Sequence, residues 1–421
     1  MHHFSHRGGE LACEEVSLAQ VAEAVGTPVY VYSTATLERH VRVIAEAMHD
    51  IECLIAFSVK ANGNLAVLAT LAAQGVGADV VSGGELQRAR RAGIPARKIV
   101  FSGVGKTREE MRLGLAEGIY QFNVESVAEL RTLSEVACDM GRTASVAIRV
   151  NPDVEAGGHP NISTGKAGDK FGVPWDAAPA VFDEAARLPG LSVVGVDVHI
   201  GSQIDRLAPM RAAFAKTVAL AKSLQEAGHA ISRLDLGGGL GVPYARGDAP
   251  ASPAAYAEMI ADVIGDFDGA LVLEPGRVIA ANAGVLLTRA LYLKNAPDRT
   301  FLVVDAGMND FLRPALYDAH HEIVPVKAPR DGDETRQFDV VGPVCESTDR
   351  FAVQRALTGV AGGDLLAIMS TGAYGAALSS QYNARPLVPE VLVRGQQWHT
   401  VRRRPSFEEM IQLETYPEWK S

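Results

Sequence analysis

Short apolar runs alternate with amphipathic segments from about residue 34 to about residue 276. The segments between the runs, beginning with 36–48 and 64–74, have apolar residues at helical spacing. The runs have the length of strands and lie at 53–59, 78–82, 98–103, 120–124, 145–151, 191–201, 231–239 and 270–276. Eight strands that alternate with helices over about 240 residues predict a closed, parallel (β/α)8 barrel of the TIM type. An open, doubly wound sheet is the structural alternative.

The pattern changes after about residue 280, where apolar runs continue but few helical segments separate them. These runs are "GVLLTRALYLK", "FLVVDAG", "DLLAIMS" and "VPEVLVRG". They predict a separate β-rich domain, built as a barrel or a sandwich. Another strand-like run, "TPVYVYS", lies near the N-terminus. It indicates that the N-terminal segment is part of the β-rich domain. The expected division is therefore 1–30 for the N-terminal segment, 31–278 for the barrel and 279–421 for the C-terminal β-domain.

Composition narrows the classes of partner. The formal net charge of −10 argues against a nucleic-acid-binding surface. No apolar stretch approaches the roughly 20 residues that span a bilayer, and the first 15 residues contain no apolar signal core. The four cysteines include no C-x-x-C pair, which argues against a zinc site, and such sparse thiols suit a reducing compartment. We therefore expect a cytoplasmic protein with no metal, no nucleic acid and no membrane as partner.

Chemically active side chains follow several of the expected barrel strands. The first strand leads into Lys60, the sixth into His199 and Ser202, and the eighth into Glu274 and Arg277. In a (β/α)8 barrel, residues at the carboxyl ends of the strands meet at one face and form the active site. These five residues are therefore candidates for one site.

A glycine-rich stretch, "GGGLG", follows the seventh expected strand. Glycines place sterically free backbone N–H groups in one loop, an arrangement that can wrap a phosphate. A dinucleotide fingerprint would require a third glycine at Val242, so that interpretation fails. A tight turn is the alternative, but loops after strands seven and eight are the usual phosphate site of this barrel. Gly238 and Gly239 are therefore candidate phosphate-binding residues.

A lysine beside a phosphate loop suggests a specific cofactor. Taken alone, Lys60 is better explained as a salt-bridged or solvent-facing lysine. A desolvated lysine, however, has a lowered pKa and can form a Schiff base with a carbonyl. Pyridoxal 5′-phosphate carries both the aldehyde and the phosphate. Binding of pyridoxal 5′-phosphate is the hypothesis that explains both Lys60 and the glycine-rich loop.

Two further strand-end residues fit the same cofactor. A carboxylate such as Glu274 beside the pyridine nitrogen keeps that nitrogen protonated and strengthens the ring as an electron sink. The alternative for Glu274 is a structural ion pair with Arg277, three residues along the chain. The ring of His199 could stack on the pyridine face, and its alternative is a core histidine.

Seven motifs occur in order along nearly the whole chain, and together they resemble the diaminopimelate decarboxylases. This family belongs to the pyridoxal-phosphate-dependent group that includes alanine racemase and the ornithine and arginine decarboxylases. The motifs are "FSVKAN", "HIGSQ", "DLGGGLG", "EPGR", "VDAGMNDFLRPALYDAHH", "GPVCES" and "GAYG". The resemblance implies an N-terminal barrel, a C-terminal β-domain and a homodimer with shared active sites. The chain departs from many relatives at Asp197 and at "CESTD", where they read "CESGD".

The resemblance also implies roles for residues around the cofactor. Lys60 would carry the cofactor covalently, His199 would stack on it and Glu274 would meet its ring nitrogen. The surroundings of the phosphate would be formed by Ser202, Gly238, Gly239, Arg277 and Tyr374.

A second set of residues would act on the substrate, again by resemblance. The substrate-binding residues would be Arg277, Arg313, Tyr317, Glu346 and Tyr374. Cys345 would be catalytic together with Lys60. Cys345 and Glu346 would enter the site from the second subunit.

The chemistry of these side chains agrees with a substrate that has two amino-acid ends. One end binds the cofactor, and an arginine such as Arg313 can hold the distal carboxylate through bidentate hydrogen bonds. Glu346 can receive the distal ammonium group, although a surface ion pair of these two residues is the alternative. Cys345 is a candidate acid for Cα because an ordinary thiol pKa lies near neutrality. The alternative for Cys345 is a buried cysteine.

The expected reaction is the decarboxylation of meso-2,6-diaminopimelate to L-lysine and CO₂, the last step of lysine biosynthesis. Either Cys345 or Lys60 would protonate Cα. The nearest alternative is a related decarboxylase acting on ornithine, arginine or a siderophore precursor. Alanine racemase is disfavoured because that chemistry typically places a cation at the ring nitrogen. A non-catalytic carrier of the cofactor and a phosphate-binding barrel enzyme without it are the remaining alternatives.

Overall fold

The computed structural model describes residues 2–157, 164–165 and 168–420. Within this part, the chain forms two compact units. One unit is Leu37–Ala281, and the other combines the N-terminal residues through Thr36 with the residues from Asn282 onward. The boundaries expected from the sequence for independently folding domains stay a prediction.

The first unit is a closed parallel barrel. Its strands, numbered first to eighth in chain order, are Cys53–Ser58, Gly77–Val80, Ile99–Phe101, Gln121–Val124, Ala144–Asn151, Leu191–Asp197, Arg233–Asp235 and Ala270–Leu273. Each strand pairs with the next in parallel, and the eighth pairs with the first, so no edge is left open. The (β/α)8 prediction is therefore confirmed, and the open sheet is wrong for this chain.

Helices follow the strands around the barrel, as the helical spacing predicts. Thr34–Ala47 precedes the first strand. The helices after the eight strands are, in order, Leu65–Ala73, Gly83–Arg91, Arg108–Glu117, Val127–Asp139, Ala178–Arg187, Leu207–Glu226, Pro253–Ile264 and Arg277–Ala280. Several begin at a side chain that accepts a hydrogen bond from the first turn. Ser82 accepts from the N–H of Glu85, and Thr107 forms a reciprocal capping box with Glu110. These caps fix where each helix leaves the strand end before it.

Two barrel strands end earlier than the apolar runs suggest. The run at 191–201 yields a strand that ends at Asp197, and the run at 231–239 yields one that ends at Asp235. After the seventh strand the backbone turns away at the glycines, since Gly237 and Gly239 have φ values of 62° and 108°. The residues after both strands therefore form loops at the carboxyl end of the barrel.

The second unit is rich in β-structure. A three-stranded sheet contains Phe4–Arg7, Glu10–Cys13 and Val16–Ser17, and a nine-stranded sheet contains Val29–Ser33, Gly284–Asn295, Thr300–Val304, Ile323–Pro325, Thr335–Val341, Arg350–Thr358, Leu365–Ile368, Glu390–Arg394 and Gln397–Arg402. Its helices are short and comprise Leu18–Val25, Arg313–Tyr317 and Phe407–Ile411.

An N-terminal strand lies in the middle of the nine-stranded sheet. Val29–Ser33 pairs antiparallel with Gly284–Asn295 and parallel with Glu390–Arg394. Its residues are fully buried, as expected of a central strand with both faces covered. The "TPVYVYS" run thus pairs with strands more than 250 residues away, and residue 30 lies inside this strand.

The described residues contain no helix that is both long and apolar enough to cross a membrane.

Candidate active site

Lys60 lies just beyond the first barrel strand, in a short 3-10 turn formed by Val59–Ala61. Its Nζ lies 2.7 Å from Oδ2 of Asp79, a fully buried residue of the second strand. Ser58 donates a hydrogen bond to the same oxygen at 2.8 Å. The Lys60 side chain is 38% exposed, so its amine is ion-paired yet accessible. The expected salt bridge of Lys60 is therefore present, and it is compatible with a reactive amine.

Glu274 is buried at the end of the eighth strand. Its Oε1 accepts hydrogen bonds from Ser102 at 3.1 Å and from the Asn123 amide at 3.2 Å. The structural ion pair with Arg277 is not formed, because the Arg277 guanidinium donates to Ser202 instead. Burial raises the pKa of Glu274 well above its usual value, and neighbouring carboxylates, first Asp235, raise it further.

His199 is oriented by the glycine loop. Its Nδ1 accepts a hydrogen bond from the backbone N–H of Gly238 at 3.1 Å, so Nε2 carries the ring proton. Burial lowers the pKa of His199 well below its usual value, and the positive charges of Arg149 and Lys60 lower it further. The side chain therefore presents a neutral, flat imidazole with a fixed tautomer.

The glycines allow three strand-end loops to approach one another closely. A Cβ on Gly238 would lie 2.2 Å from the carbonyl oxygen of Glu274, and a Cβ on Gly239 would lie 2.4 Å from that of Gly201. The N–H groups of Gly237 and Gly238 donate to Asp235 and His199. The stretch therefore joins the sixth, seventh and eighth strand ends, a role that the phosphate-loop interpretation did not include.

Arg277 and Ser202 come together after the eighth and sixth strands. The Nη2 of Arg277 donates to Ser202 Oγ at 3.0 Å, and its Nη1 donates to the Tyr244 hydroxyl. Arg277 is only 6% exposed. A buried guanidinium beside hydroxyl groups is suited to binding a phosphate or a carboxylate.

The candidate substrate residues lie in the other unit. Arg313 is buried and begins the helix Arg313–Tyr317, and Tyr317, at its end, is half-buried. The segment before this helix is anchored by Asp310, whose carboxylate accepts the N–H of Gly307 at 2.8 Å. Tyr374 is half-buried with a φ of 55°, an uncommon backbone conformation for a tyrosine.

Cys345 and Glu346 lie on an exposed loop of this second unit, so the buried-cysteine alternative is wrong. The Cys345 N–H donates to Asn383 at 3.0 Å. Asp349 fixes the loop, because its two carboxylate oxygens accept the N–H groups of Met308 at 2.7 Å and Val344 at 2.6 Å. The thiol and the carboxylate therefore project from a loop with a defined backbone.

The structure thus distributes the candidate residues between the two units. The barrel carries Lys60, His199, Ser202, Gly238, Gly239, Glu274 and Arg277, and the β-rich unit carries Arg313, Tyr317, Cys345, Glu346 and Tyr374.

Sequence reasoning missed several polar residues that hold the candidate residues in place. They are Asp79, Ser102, Asn123, Asp235, Tyr244 and Asp349. Most lie in or directly after a barrel strand, and this was the available signal. A polar residue inside a short apolar run, such as Asp79 in "ADVVS", has to find a partner when it is buried.

Comparison with known proteins identifies the chemistry of this barrel. Residues 34–281 match the family described as "Pyridoxal-dependent decarboxylase, pyridoxal binding domain". The chain is 48% identical to a diaminopimelate decarboxylase of Zymomonas mobilis over 99% of each chain. It is 50% identical to the Pseudomonas aeruginosa protein of the same name over 97% of each chain.

A solved structure agrees with these relatives. The crystal structure of diaminopimelate decarboxylase from Helicobacter pylori, complexed with L-lysine, superposes with a TM-score of 0.90 at 40% sequence identity. The alignment covers 94% of this chain and 98% of that one. The similarity therefore extends over both the barrel and the β-rich unit.

Proposed function

Because the chain belongs to the family of diaminopimelate decarboxylases, we propose that its strand-end residues hold pyridoxal phosphate and that Arg313 and Glu346 select the substrate. The chain is a carboxy-lyase that uses pyridoxal 5′-phosphate. It converts meso-2,6-diaminopimelate to L-lysine and CO₂, the last step of lysine biosynthesis. The assignment of individual residues to this reaction is the proposal.

The residues of the barrel fit the cofactor. Arg277 and Ser202 would bind the phosphate beside the Gly238–Gly239 turn, where a Cβ would have no room. Tyr374 would complete the surroundings of the phosphate. Once bound, the cofactor supplies an electron sink for the electron pair that remains on Cα after CO₂ leaves.

Two side chains would set the orientation and the charge of the cofactor ring. Glu274 would meet the ring nitrogen from a buried position that excludes competing water. His199 would cover a ring face as a neutral imidazole, since burial lowers its pKa. A neutral ring adds no second positive charge beside the ring nitrogen. Gly238 fixes the tautomer of His199 and so the plane that it presents.

Lys60 would bind the aldehyde covalently through Nζ. Asp79 directs this amine and supports its protonated form, so the amine can accept a proton when the substrate takes its place. With that proton, Lys60 is one of two groups that could protonate Cα.

Cys345 is the other group, and we assign it the transfer of a proton to Cα. Its thiol lies on an exposed loop whose backbone Asn383 and Asp349 hold. A thiol at that position can donate a proton and recover it from water. Lys60 would then act in the release of L-lysine.

Recognition of the distal end of the substrate would use charge complementarity. The Arg313 guanidinium can donate two parallel hydrogen bonds to the distal carboxylate, with Tyr317 and Arg277 as further donors. Glu346 can accept from the distal ammonium group. Ornithine and arginine lack the distal carboxylate, so Arg313 would be left without its partner and would disfavour them.

We also propose a homodimer in which Cys345 and Glu346 serve the barrel of the partner subunit. In support, both side chains are exposed on a loop that is fixed in place before any partner binds. A symmetric dimer would use each loop once and would form two equivalent active sites.

A cytoplasmic location is part of the same proposal. Among the described residues, all four cysteines are free thiols, including the exposed Cys345. A catalytic thiol has to stay reduced, and the cytoplasm provides that condition. Fractionation of cells followed by immunodetection would test the location, and recovery in a secreted fraction would contradict it.

The observation that carries the proposal is the accessible amine of Lys60, held by buried Asp79 at the carboxyl end of a barrel strand. Borohydride reduction of the cofactor-loaded chain, followed by peptide mass spectrometry, tests it directly. We expect the reduced cofactor to be attached to the peptide that contains Lys60. Attachment to another lysine would contradict the assignment.

A further inference from the structure

Three buried carboxylates meet at the carboxyl ends of the last three barrel strands. Asp197 and Asp235 are the final residues of the sixth and seventh strands and are opposite each other in register. Glu274 follows the eighth strand. One oxygen from each carboxylate lies within 4.8 Å of the other two, and the residues are 2%, 0% and 6% exposed. We call this group the carboxylate cluster.

Hydrogen bonds distinguish Asp235 from the other two members. Its Oδ1 accepts from the Gly237 N–H at 3.0 Å. Its Oδ2 accepts from the amide groups of Asn123 at 2.9 Å and Gln121 at 3.3 Å. A carboxylate that accepts several N–H hydrogen bonds is stabilised as the anion. Asp235 is therefore the member best suited to carry a negative charge.

Asp197 and Glu274 have less support for a charge. Oδ1 of Asp197 is buried and has no hydrogen-bond partner among the described residues. Glu274 receives its two hydrogen bonds on Oε1 alone, and one of them comes from the Asn123 amide that also binds Asp235. A buried anion with few donors is costly, so these two carboxyl groups are favoured as neutral acids.

The other charged groups around the cluster form ion pairs with one another. Lys60 is ion-paired with Asp79 at 2.7 Å, and Arg149 is ion-paired with Glu125 at 3.1 Å. The remaining titratable neighbours are neutral at neutral pH and comprise His199, Cys53, Tyr120 and Tyr256. Burial raises the pKa of Asp235 to about 7, whereas burial and then the charge of Asp235 raise the pKa of Glu274 well above its usual value.

We propose that Asp235 is the ionised member of the carboxylate cluster and that its charge keeps a proton on Glu274 until the cofactor binds. The inference rests on the proposed role of Glu274 at the ring nitrogen. When that nitrogen arrives, the Glu274 O–H bond breaks. The proton passes to the nitrogen, or to water where the nitrogen already carries one. Glu274 then becomes an anion against a positive ring, and Asp235 acts through Glu274 as a positioning residue.

The number of protons exchanged on cofactor binding tests this assignment. It is measured by isothermal titration of pyridoxal 5′-phosphate into the cofactor-free, full-length chain, in buffers of different ionisation enthalpy. Glu274→Gln is neutral before and after binding and offers no anion to hold a proton on the ring nitrogen. In the bound variant that nitrogen is therefore unprotonated, and any proton that it carried in the free cofactor passes to water. Since wild-type Glu274 arrives protonated, we expect both proteins to exchange the same number of protons, and the ionisation of the free cofactor cancels in the difference. If wild type binds about one proton more than Glu274→Gln, then Glu274 was already ionised and the proposal is wrong.

A second variant examines Asp235 itself. Asp235→Asn removes the neighbouring charge at nearly constant shape, so Glu274 should ionise at lower pH before the cofactor binds. We expect this variant to release fewer protons than wild type on binding, with the pH midpoint of the difference shifted downward. Asp262→Asn is the matched control, because its side chain is 68% exposed and forms an ion pair with Arg211 on the barrel surface. The control should match wild type.

The outcomes separate this inference from the proposed function. Identical proton exchange by Asp235→Asn and wild type at every pH would show that Asp235 does not hold the proton. If Asp235→Asn does not fold, the comparison of wild type with Glu274→Gln still decides the state of Glu274. Failure of wild type and Asp262→Asn to bind the cofactor at all would overturn the proposed function instead.

Discussion

In the proposed assignment, Lys60 is the residue on which the cofactor chemistry depends most directly. Replacing Lys60 with alanine removes the amine that Asp79 holds. We expect the purified variant to lack the visible absorbance of the covalently bound cofactor and to lose at least ~10³-fold in kcat. Lys222→Ala is the matched control, since the Lys222 side chain is 40% exposed, close to that of Lys60, and is paired with Asp266 on the surface. Unchanged absorbance in Lys60→Ala would exclude Lys60 as the attachment site.

Cys345 provides a separate test of proton transfer. Cys345→Ala should bind the cofactor normally, because Cys345 is not among the proposed cofactor-binding residues and is exposed, but it should lose roughly 10²–10⁴-fold in kcat. Cys138→Ala, at another exposed cysteine, is the control. Turnover near that of wild type would assign the proton to Lys60.

A place in the candidate site could be predicted from the sequence for residues that come soon after a strand, as with Lys60 and Glu274. The partners of these residues could not be predicted in the same way. Asp79 meets Lys60, and Asn123 meets Glu274, only because the closed barrel fixes the register between distant strands. Charge states depend on that register too, since burial, and then the charge of Asp235 on a neighbouring strand, raise the pKa of Glu274.

At the scale of elements, the glycine loop is what brings the seventh and eighth strand ends together. In Gly238→Ala the new Cβ would lie 2.2 Å from the Glu274 carbonyl oxygen, so the loop would have to move. We expect the variant to lose about 1–3 kcal/mol of stability and to bind the cofactor more weakly. Gly105→Ala is the control, because a Cβ added at Gly105 would have no atom within 4 Å. Thermal unfolding and cofactor titration would measure both effects. Equal stability and equal cofactor affinity of Gly238→Ala and Gly105→Ala would contradict this role.

The strands themselves were the most predictable elements, and their ends were the least. All eight barrel strands lie where apolar runs predicted them, because parallel strands that are covered on both faces consist mainly of apolar residues. The runs at 191–201 and 231–239 extend past the strands, since the loops that follow are also buried and apolar. The apolar pattern shows which residues are buried, whereas the end of the seventh strand is set by the backbone conformation of Gly237 and its neighbours.

At the scale of the whole molecule, the proposed homodimer with shared active sites predicts complementation between two inactive variants. Lys60→Ala and Cys345→Ala each disable one half of a site. When the two proteins are mixed and allowed to exchange subunits, half of the dimers are mixed and each has one intact site. We expect roughly a quarter of wild-type activity to return. Recovery of no activity, with subunit exchange shown by mass spectrometry, would place Cys345 and Lys60 in sites within one subunit.

The most direct test of the central claim is the substrate preference of the purified, cofactor-loaded chain. Lysine and CO₂ are measured with meso-2,6-diaminopimelate, and the corresponding amines are measured with ornithine and arginine. Because the proposed roles of Arg313 and Glu346 require both a distal carboxylate and a distal ammonium group, we expect kcat/KM to favour diaminopimelate by at least ~10³-fold, with one lysine formed for each CO₂. A higher kcat/KM for ornithine or arginine would contradict the account.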